Sequence, residues 1–293
     1  MIKEKVVAKI LKAILKEDIG FKIEPFPYEE SKGYYKNVFK IITAQKNYVL
    51  KKAKENELDI YKHINNSLTN VPYFYGDYHY YGSDYILLEY VSGKNAMIMN
   101  RNSLIRIIDA IINTQKKYWL SNETFGTTKE QAIKRYLNRL YYLPDELKEI
   151  YQQFIECFKE IEVTFSHEDL LPFNLIINKE SVYFLDFEVG GILPYPTMMA
   201  RLIAHTDDDK TAKFYLKKED FRFAISYYYS RFIKEQGIKE NDYLKAMNLF
   251  IFNELIEWIY VYQKNGYKPN EFYSRYYQKA LNKKEEILKL LAN

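Results

Sequence analysis

The chain has 293 residues, a formal net charge of +4, and 47% hydrophobic and 28% charged residues. This composition predicts a folded chain of about two domains or one two-lobed domain, and it excludes a largely disordered protein. The net charge is small for a nucleic-acid binder, so no nucleic acid polymer is expected as a partner. The single cysteine, Cys157, excludes an internal disulfide and a cysteine-rich zinc site.

Helical spacing of apolar residues predicts a first helix over residues 3–15, in which Val6, Ile10, Leu11 and Ile14 share one face. Charged residues interrupt its apolar positions, which distinguishes it from a signal peptide. The longest apolar runs are far shorter than a membrane span. We therefore expect a cytoplasmic protein, whose oligomeric state the sequence leaves open.

The next segment predicts three antiparallel strands within residues 20–52, because apolar residues recur with a period of about two between turn-forming residues. A helix over residues 56–68 and two strands within residues 71–80 and 83–91 follow. Together these elements predict a compact antiparallel lobe that ends near Val91.

The pattern becomes mostly helical after Gly93, with helices predicted over residues 104–119, 129–142 and from Pro144 to about residue 161. A short strand-rich segment over residues 163–188 interrupts the helices. We therefore predict two units: a small β-rich lobe in residues 1–92 and a larger α-rich lobe in residues 93–293.

That strand-rich segment carries the most informative motif in the chain. His167, Asp169 and Asn174 lie in the string HEDLLPFN, and an apolar strand then leads to LDFE, which contains Asp186 and Glu188. Each residue alone is weak evidence, since a lone histidine or an Asp–Asn pair is common. The combination of both motifs with a strand between them, after a β-rich lobe, is far more specific.

The two motifs resemble the catalytic core of the protein-kinase-like fold. The resemblance is to the aminoglycoside phosphotransferase and choline kinase branch, including the spore-coat kinase-like proteins of Gram-positive bacteria. That branch typically reads H-G-D-x-H-x-x-N, and then has an apolar strand ending in I-D-x-[DE]. The resemblance implies an α+β, two-lobed fold, with a small antiparallel β-rich nucleotide-binding N-lobe and a larger, mostly α-helical C-lobe for catalysis and acceptor binding.

The same resemblance implies an ATP-dependent phosphotransferase that moves the γ-phosphate to a hydroxyl of a small molecule, with GTP as a possible donor. Asp169 is then the catalytic base. Asn174 and Asp186 supply the hard oxygen ligands that Mg²⁺ prefers. Glu188 is expected to contact a second metal or to lie behind the first, and His167 to brace the loop through hydrogen bonds.

A kinase-like N-lobe also needs a lysine on its third strand, held by a glutamate of the next helix. The string YVLKKA places Lys51 at the phosphate position, with Lys52 as the alternative. Glu57 is the expected partner, because it shares a helix face with Ile60. Glu55 is the alternative partner.

Two further segments are expected to contact the nucleotide. Residues 29–35, with Ser31 and Gly33, would cover the phosphates, although the segment lacks the G-x-G-x-x-G pattern. The string LLEYVSG resembles the hinge of the same branch. It implies that backbone groups at Glu89 and Val91 pair with the adenine.

Three positions depart from the pattern of the branch. Glu168 replaces a glycine and is expected to point to solvent, with attraction of a cationic acceptor as the alternative. Leu171 replaces a histidine, which removes neither a proton acceptor nor a metal ligand. The helix PTMMARLIAH lacks the aspartate that usually opens it. If that aspartate normally braces the catalytic loop, another contact must do so here.

Acceptor binding is expected in the C-lobe, where an amino alcohol, an amino sugar, a sugar or an aminoglycoside-like molecule would bind. A plainer interpretation of each candidate is a solvated loop, an ion pair with Arg or Lys, or a core aromatic residue. The candidates are Asp207, Glu254, Glu257, Trp258 and Tyr262. The alternative functions are a nucleotide-binding pseudokinase, a structural spore-coat-type protein without turnover, and, less favoured, a protein kinase.

Overall fold

A five-stranded antiparallel sheet forms the N-terminal lobe, with strand order β1-β2-β3-β5-β4. The computed structural model describes residues 3–27, 34–54, 56–64 and 67–292. The elements of this lobe are α1 (Glu4–Leu15), β1 (Phe21–Pro27), β2 (Tyr34–Thr43), β3 (Asn47–Lys52), α2 (Glu57–Ile64), β4 (Phe74–Tyr80) and β5 (Ser83–Glu89).

Successive side chains along a strand point to opposite faces of the sheet, and the two faces of this sheet have different neighbours. The apolar face of α1 packs on one side of the sheet and forms a small core of its own. Leu50 of β3 is fully buried in that core, so its neighbour Lys51 points to the opposite face. That face lines the cleft between the two lobes.

The C-terminal lobe is mostly helical and holds two small sheets, β7 with β10 and β6-β8-β9. Its strands are β6 (Lys94–Asn95), β7 (Val163–His167), β8 (Leu175–Ile177), β9 (Val182–Phe184) and β10 (Gly190–Pro194). Its helices are α3 (Arg101–Lys117), α4 (Lys129–Tyr142), α5 (Asp145–Glu160), α6 (Pro196–Ala204), α7 (Lys218–Arg231), α8 (Glu240–Asn265) and α9 (Glu271–Leu291). Asn100 and Thr128 begin α3 and α4 with reciprocal capping boxes.

The predicted fold class, α+β with a β-rich N-lobe and an α-helical C-lobe, is confirmed. The helix predicted over residues 56–68 is described as α2 over Glu57–Ile64, and Ser67 and Leu68 are not helical. The proposed division at residues 92 and 93 stays a prediction, because the largest hydrophobic cluster includes Ile60, Tyr61 and Leu88 together with the C-lobe core. None of the helices among the described residues is long and apolar enough to cross a membrane.

A close backbone contact joins α2 to the C-lobe at Gly126. Gly126 has a positive φ of +67°, and its N–H donates to Asp59 Oδ2 of α2 over 2.6 Å. A Cβ at this position would lie 2.2 Å from the Gly190 carbonyl oxygen and 2.9 Å from Ile60. Glycine is therefore required here by both the backbone conformation and the lack of space.

We predict that Gly126→Ala destabilises the protein by about 2 kcal/mol more than Gly266→Ala does. Both glycines have positive φ, but open space surrounds the position of a Cβ at Gly266. The control therefore carries only the left-handed strain, about 1 kcal/mol. Urea unfolding of the two variants measures the difference, and equal losses would contradict the proposed steric contact.

Candidate active site

A cleft of about 360 Å³ separates the N-lobe sheet from the C-lobe strand pair β6-β8. Its walls are largely apolar, with Val38, Val49 and Leu88 above and Phe173 and Ile176 below. Such mostly apolar clefts with a few convergent polar groups are typical ligand sites. Six of the predicted residues line it: Lys51, Glu57, Glu89, Val91, Asn174 and Asp186.

Lys51 is the charged centre of the upper wall. Its Nζ lies 2.9 Å from Glu57 Oε1, donates to Asp186 Oδ1, and lies 3.7 Å from Glu188 Oε1. Only 7% of the residue is exposed. Burial by itself lowers the pKa of Lys51, but Glu57 and Asp186 outweigh it and raise that pKa, so the ammonium stays charged.

Glu57 is fully buried at the start of α2, and its Oε2 has no hydrogen-bond partner among the described residues. Burial is the largest influence on it and raises the pKa of Glu57 to about 7, against the opposing effect of Lys51. The Lys51 charge is shared among three carboxylates, which limits how far it lowers the pKa of any one of them. The alternative partner, Glu55, lies outside the described residues.

Asp186 and Glu188 bring further negative charge to the same place. Asp186 has a left-handed backbone with φ +63°, a strained conformation that is found mostly at functional sites. Burial opposes its ionisation, but Lys51 overcomes this and lowers the pKa of Asp186. Glu188 accepts a hydrogen bond from Lys54. Three carboxylates thus face the one buried ammonium, a surplus that suits a divalent cation.

His167 joins the loop that carries Asp169 to the strand before Asp186. Its Nε2–H donates to the Leu185 carbonyl over 2.7 Å, and its Nδ1 accepts from the Asp169 backbone N–H over 3.1 Å. Burial lowers the pKa of His167, which keeps the ring neutral and able to accept through Nδ1. This geometry orients a loop and leaves no ring nitrogen for a substrate proton.

Asn174 supports Asp169 from below. Its Nδ2 donates to the Asp169 backbone oxygen over 2.8 Å and lies 3.2 Å from Asp169 Oδ2. These contacts leave the amide oxygen Oδ1, which accepts no hydrogen bond from the described residues. Asn174 also lines the cleft together with Asp186, so an amide oxygen and a carboxylate are available there for a metal ion.

Arg201 of α6 holds the Asp169 carboxylate, a contact that the sequence motifs did not predict. Its Nη2 and Nε lie 2.6 and 3.2 Å from Asp169 Oδ1. Its Nη1 lies 2.8 Å from Glu254 Oε2 and also donates to Glu257. Arg201 thus holds the loop that carries Asp169, and it does so from the helix that lacks the aspartate expected at its start. The signal was present, because an arginine in an otherwise apolar helix needs buried partners.

Glu168 does not point to solvent, so that expectation is wrong. Its side chain is 8% exposed and pairs with Arg135 of α4, while the Tyr136 hydroxyl lies 3.3 Å away. The pairing partner lies 33 residues earlier in the sequence, on a different element. A Glu168 carboxylate that is already bound to an arginine has little charge left to attract a cationic acceptor.

The hinge segment lies along the rim of the cleft. The Tyr73 backbone N–H donates to Glu89 Oε2 over 3.2 Å, and the Glu89 backbone N–H donates to the Tyr73 carbonyl oxygen over 2.8 Å. The N–H of Val91 has no acceptor among the described residues, and Val91 lines the cleft. The other predicted nucleotide contacts, Ser31 and Gly33, lie outside the described residues.

The predicted acceptor residues lie in three different places. Asp207 and Trp258 line a second cavity of about 260 Å³ beside the catalytic loop. Glu254 and Glu257 lie behind it, bound to Arg201. Tyr262 lies elsewhere, donating to Asn270 Oδ1 over 3.0 Å.

Comparison with known proteins identifies the fold. No protein-family model and no curated protein sequence matches the chain. Similar solved structures include a choline kinase from Cryptosporidium parvum Iowa II, with TM-score 0.66, 14% identity, and coverage of 98% of this chain and 97% of that one. An aminoglycoside phosphotransferase from Alicyclobacillus acidocaldarius has TM-score 0.59 and 13% identity, with 90% of each chain covered.

An amicoumacin kinase in complex with AMP-PNP and Ca²⁺ is also similar, with TM-score 0.57, 12% identity, and coverage of 98% of this chain and 93% of that one. These likenesses show that the chain has the protein-kinase-like fold, as the two sequence motifs predict. The likeness to spore-coat kinase-like proteins stays a prediction.

The ion pairs of Glu254 predict how stability depends on pH. Burial favours its neutral form, but Arg201 and His205 outweigh this and lower the pKa of Glu254 to about 2. The carboxylate therefore stabilises the folded state fully above its unfolded pKa, near 4.5, and this contribution disappears as the pH falls towards 2.

We expect wild type to be more stable than Glu254→Gln at pH 7, by an amount on the order of 3 kcal/mol. The difference should shrink steadily below pH 4.5. Urea unfolding between pH 7 and pH 3 measures it, with Glu219→Gln as the exposed control. A difference that stays constant over this range would contradict a stabilising role for these ion pairs.

Proposed function

We propose that the protein is an ATP-dependent phosphotransferase that transfers the γ-phosphate to a hydroxyl of a small molecule. One observation supports this most strongly. A buried lysine with two acidic partners, Glu57 and Asp186, forms one side of a cleft whose other side carries Asn174, and Asn174 Nδ2 donates to the Asp169 backbone oxygen. In a protein-kinase-like fold this set matches the parts that phosphoryl transfer requires.

The nucleotide binds in the larger cleft in this proposal. Its adenine packs between Val49 and Ile176 and pairs with the backbone at Val91. ATP and GTP would use the same backbone groups, and we take ATP as the donor. Lys51 then contacts the phosphates, since its ammonium already points into the cleft.

The residues present fit a magnesium ion, because carboxylate and amide oxygens are its preferred protein ligands. Asp186 and Asn174 would hold the ion, and Glu188 would contact it or lie behind it. When bound, Mg²⁺ neutralises phosphate charge. Asp186 must exchange its contact with Lys51 for the metal, which frees the ammonium for the phosphates.

The transfer step follows from the position of Asp169. The acceptor oxygen attacks the γ-phosphorus, the bond to the bridging β–γ oxygen breaks, and the hydroxyl proton passes to the Asp169 carboxylate. Arg201 occupies Oδ1 of that carboxylate with two contacts and Asn174 Nδ2 approaches Oδ2 with one, so the proton would go to the remaining lone pair of Oδ2. His167 and Asn174 hold the loop, and positioning of this kind accounts for most of the catalysis in this chemistry.

The alternative is a nucleotide-binding protein without turnover. One observation favours it: the two-point contact of Arg201 with Asp169 neutralises the expected catalytic base. The two proposals agree on nucleotide binding and differ on transfer, so turnover separates them.

We predict acceptor-dependent ADP release from Mg·ATP with at least one member of an acceptor panel. The panel contains choline, ethanolamine, amino sugars, aminoglycosides, simple sugars, sugar acids and a generic protein. Asp169→Asn should lower the acceptor-dependent rate about 100-fold or more, since general-base catalysis contributes that much. Nucleotide binding without any acceptor-dependent release would favour the alternative, and release with the protein acceptor alone would favour a protein kinase.

A second prediction separates Lys51 from its neighbour. Lys51→Met should weaken binding of Mg·AMP-PNP at least about tenfold, because a charge-assisted contact with phosphate is lost. Lys52→Met is the matched control and should bind normally. Isothermal titration calorimetry with and without Mg²⁺ measures both, and an effect of Lys52→Met alone would reverse the assignment.

A further inference from the structure

The charges of the residues that line the cavity beside the Asp169 loop indicate which class of ligand it binds. Leu171 and Phe173 of the loop form one wall, and Arg201, which also lines the cavity, lies 2.6 Å from Asp169 Oδ1 through its Nη2. Its volume of about 260 Å³ equals roughly nine liquid water molecules, the size of a monosaccharide or a small aromatic acid. Among the described residues that line it, Arg201, Lys213 and Arg275 are cationic and Asp207 is acidic, and Arg201 is already bound to Asp169, Glu254 and Glu257.

The carboxylates at and behind this cavity are already bound to cations of the chain. Lys279 Nζ lies 2.5 Å from Asp207 Oδ1, and Arg275 Nη1 lies 3.6 Å from Oδ2. Behind the floor, Arg201 binds Glu254 and Glu257. An ammonium group on an acceptor would have to displace one of these internal partners, and for the buried pair of Arg201 with Glu254 this is unfavourable.

Most aromatic rings that line the cavity are already in cation–π contact with the chain's own cations. Lys213 Nζ lies 5.4 Å from the ring centres of both Phe173 and Phe214. Arg275 lies 5.7 Å from Phe272 and 5.6 Å from Tyr276. Four of the five aromatic rings among the described lining residues thus already face a cation of the chain. A quaternary ammonium would meet like charge at the positions where an aromatic cage would hold it.

We propose that this cavity binds an anionic hydroxy compound, with a carboxylate or a phosphate, and not an amine. This rests on the proposed phosphotransferase function and specifies its acceptor. The anionic group binds the half-exposed guanidinium of Arg275, a geometry suited to bidentate contact. The apolar frame packs on Trp258, and the hydroxyl points to Asp169 past Arg201.

The reaction is then transfer of the γ-phosphate from ATP to the hydroxyl oxygen of the acid. The O–H bond breaks with its proton going to Asp169, the new O–P bond forms, and ADP leaves. The anionic group of the acceptor takes no part in the bond changes. Arg275 is therefore a specificity-determining residue, and its loss should alter acceptor preference without affecting nucleotide binding.

The test uses acceptors that share a frame and differ in charge. One series is glucose, glucosamine, glucuronate and glucose 6-phosphate. The other is benzyl alcohol, 4-(hydroxymethyl)benzylamine and 4-(hydroxymethyl)benzoate. We expect kcat/KM for the anion to exceed that for the cation at least about tenfold within a series. The two sugar anions show whether carboxylate or phosphate is preferred.

Arg275→Gln should abolish this preference, and Arg275→Lys should retain part of it, because the charge remains while the planar fork is lost. Arg231→Gln, at an exposed position at the end of α7 and outside the cavity, is the matched control and should leave the preference unchanged. A preference for the cationic members, or an anion preference that survives Arg275→Gln, overturns the proposal.

Calorimetry with the same series, in the presence of Mg·AMP-PNP, keeps the two proposals distinguishable. Anion binding that depends on Arg275, without turnover, supports the cavity assignment and contradicts the phosphotransferase. Turnover of cationic acceptors supports the phosphotransferase and contradicts the cavity assignment. If no member of either series binds or reacts, the cavity assignment is overturned.

Discussion

A buried ammonium needs carboxylates, and the cleft of this protein is arranged around that requirement. Lys51 is 7% exposed, and its partners come from different parts of the chain. Glu57 comes from α2 of the same lobe. Asp186 comes from the LDFE motif of the C-lobe, 135 residues after Lys51. Satisfying one charge therefore fixes the N-lobe sheet, α2 and the LDFE segment relative to one another. The proposed binding of nucleotide, metal and acceptor depends on that arrangement.

The C-lobe contains a second buried cation that is surrounded by carboxylates. Arg201 is surrounded by Asp169, Glu254 and Glu257, so α6 and α8 together hold the expected catalytic base. Arg201 thus holds the loop that carries Asp169 and also lines the proposed acceptor cavity. In the proposed function, this one guanidinium would therefore influence both turnover and acceptor specificity.

Local sequence patterns predicted most of the fold, since strong periodicity and turn chemistry fix individual elements. The catalytic loop was predictable because its residues lie close together in sequence. The partners of Arg201, the burial of Glu168 and the contacts of the aromatic rings with cations were not, because each depends on elements far apart in the chain. Asp207 was one of the acceptor candidates, and the sequence could not show that Lys279 of α9 pairs with its carboxylate.

The most direct test of the central claim is a crystal structure of the protein with Mg²⁺ and AMP-PNP. We expect the adenine at the Val91 backbone, the metal on Asp186 and Asn174, and Lys51 moved from Asp186 to the phosphates. A nucleotide bound elsewhere would contradict the claim. So would a nucleotide in the cleft with its phosphates away from Asp169 and with Lys51 still in contact with Asp186.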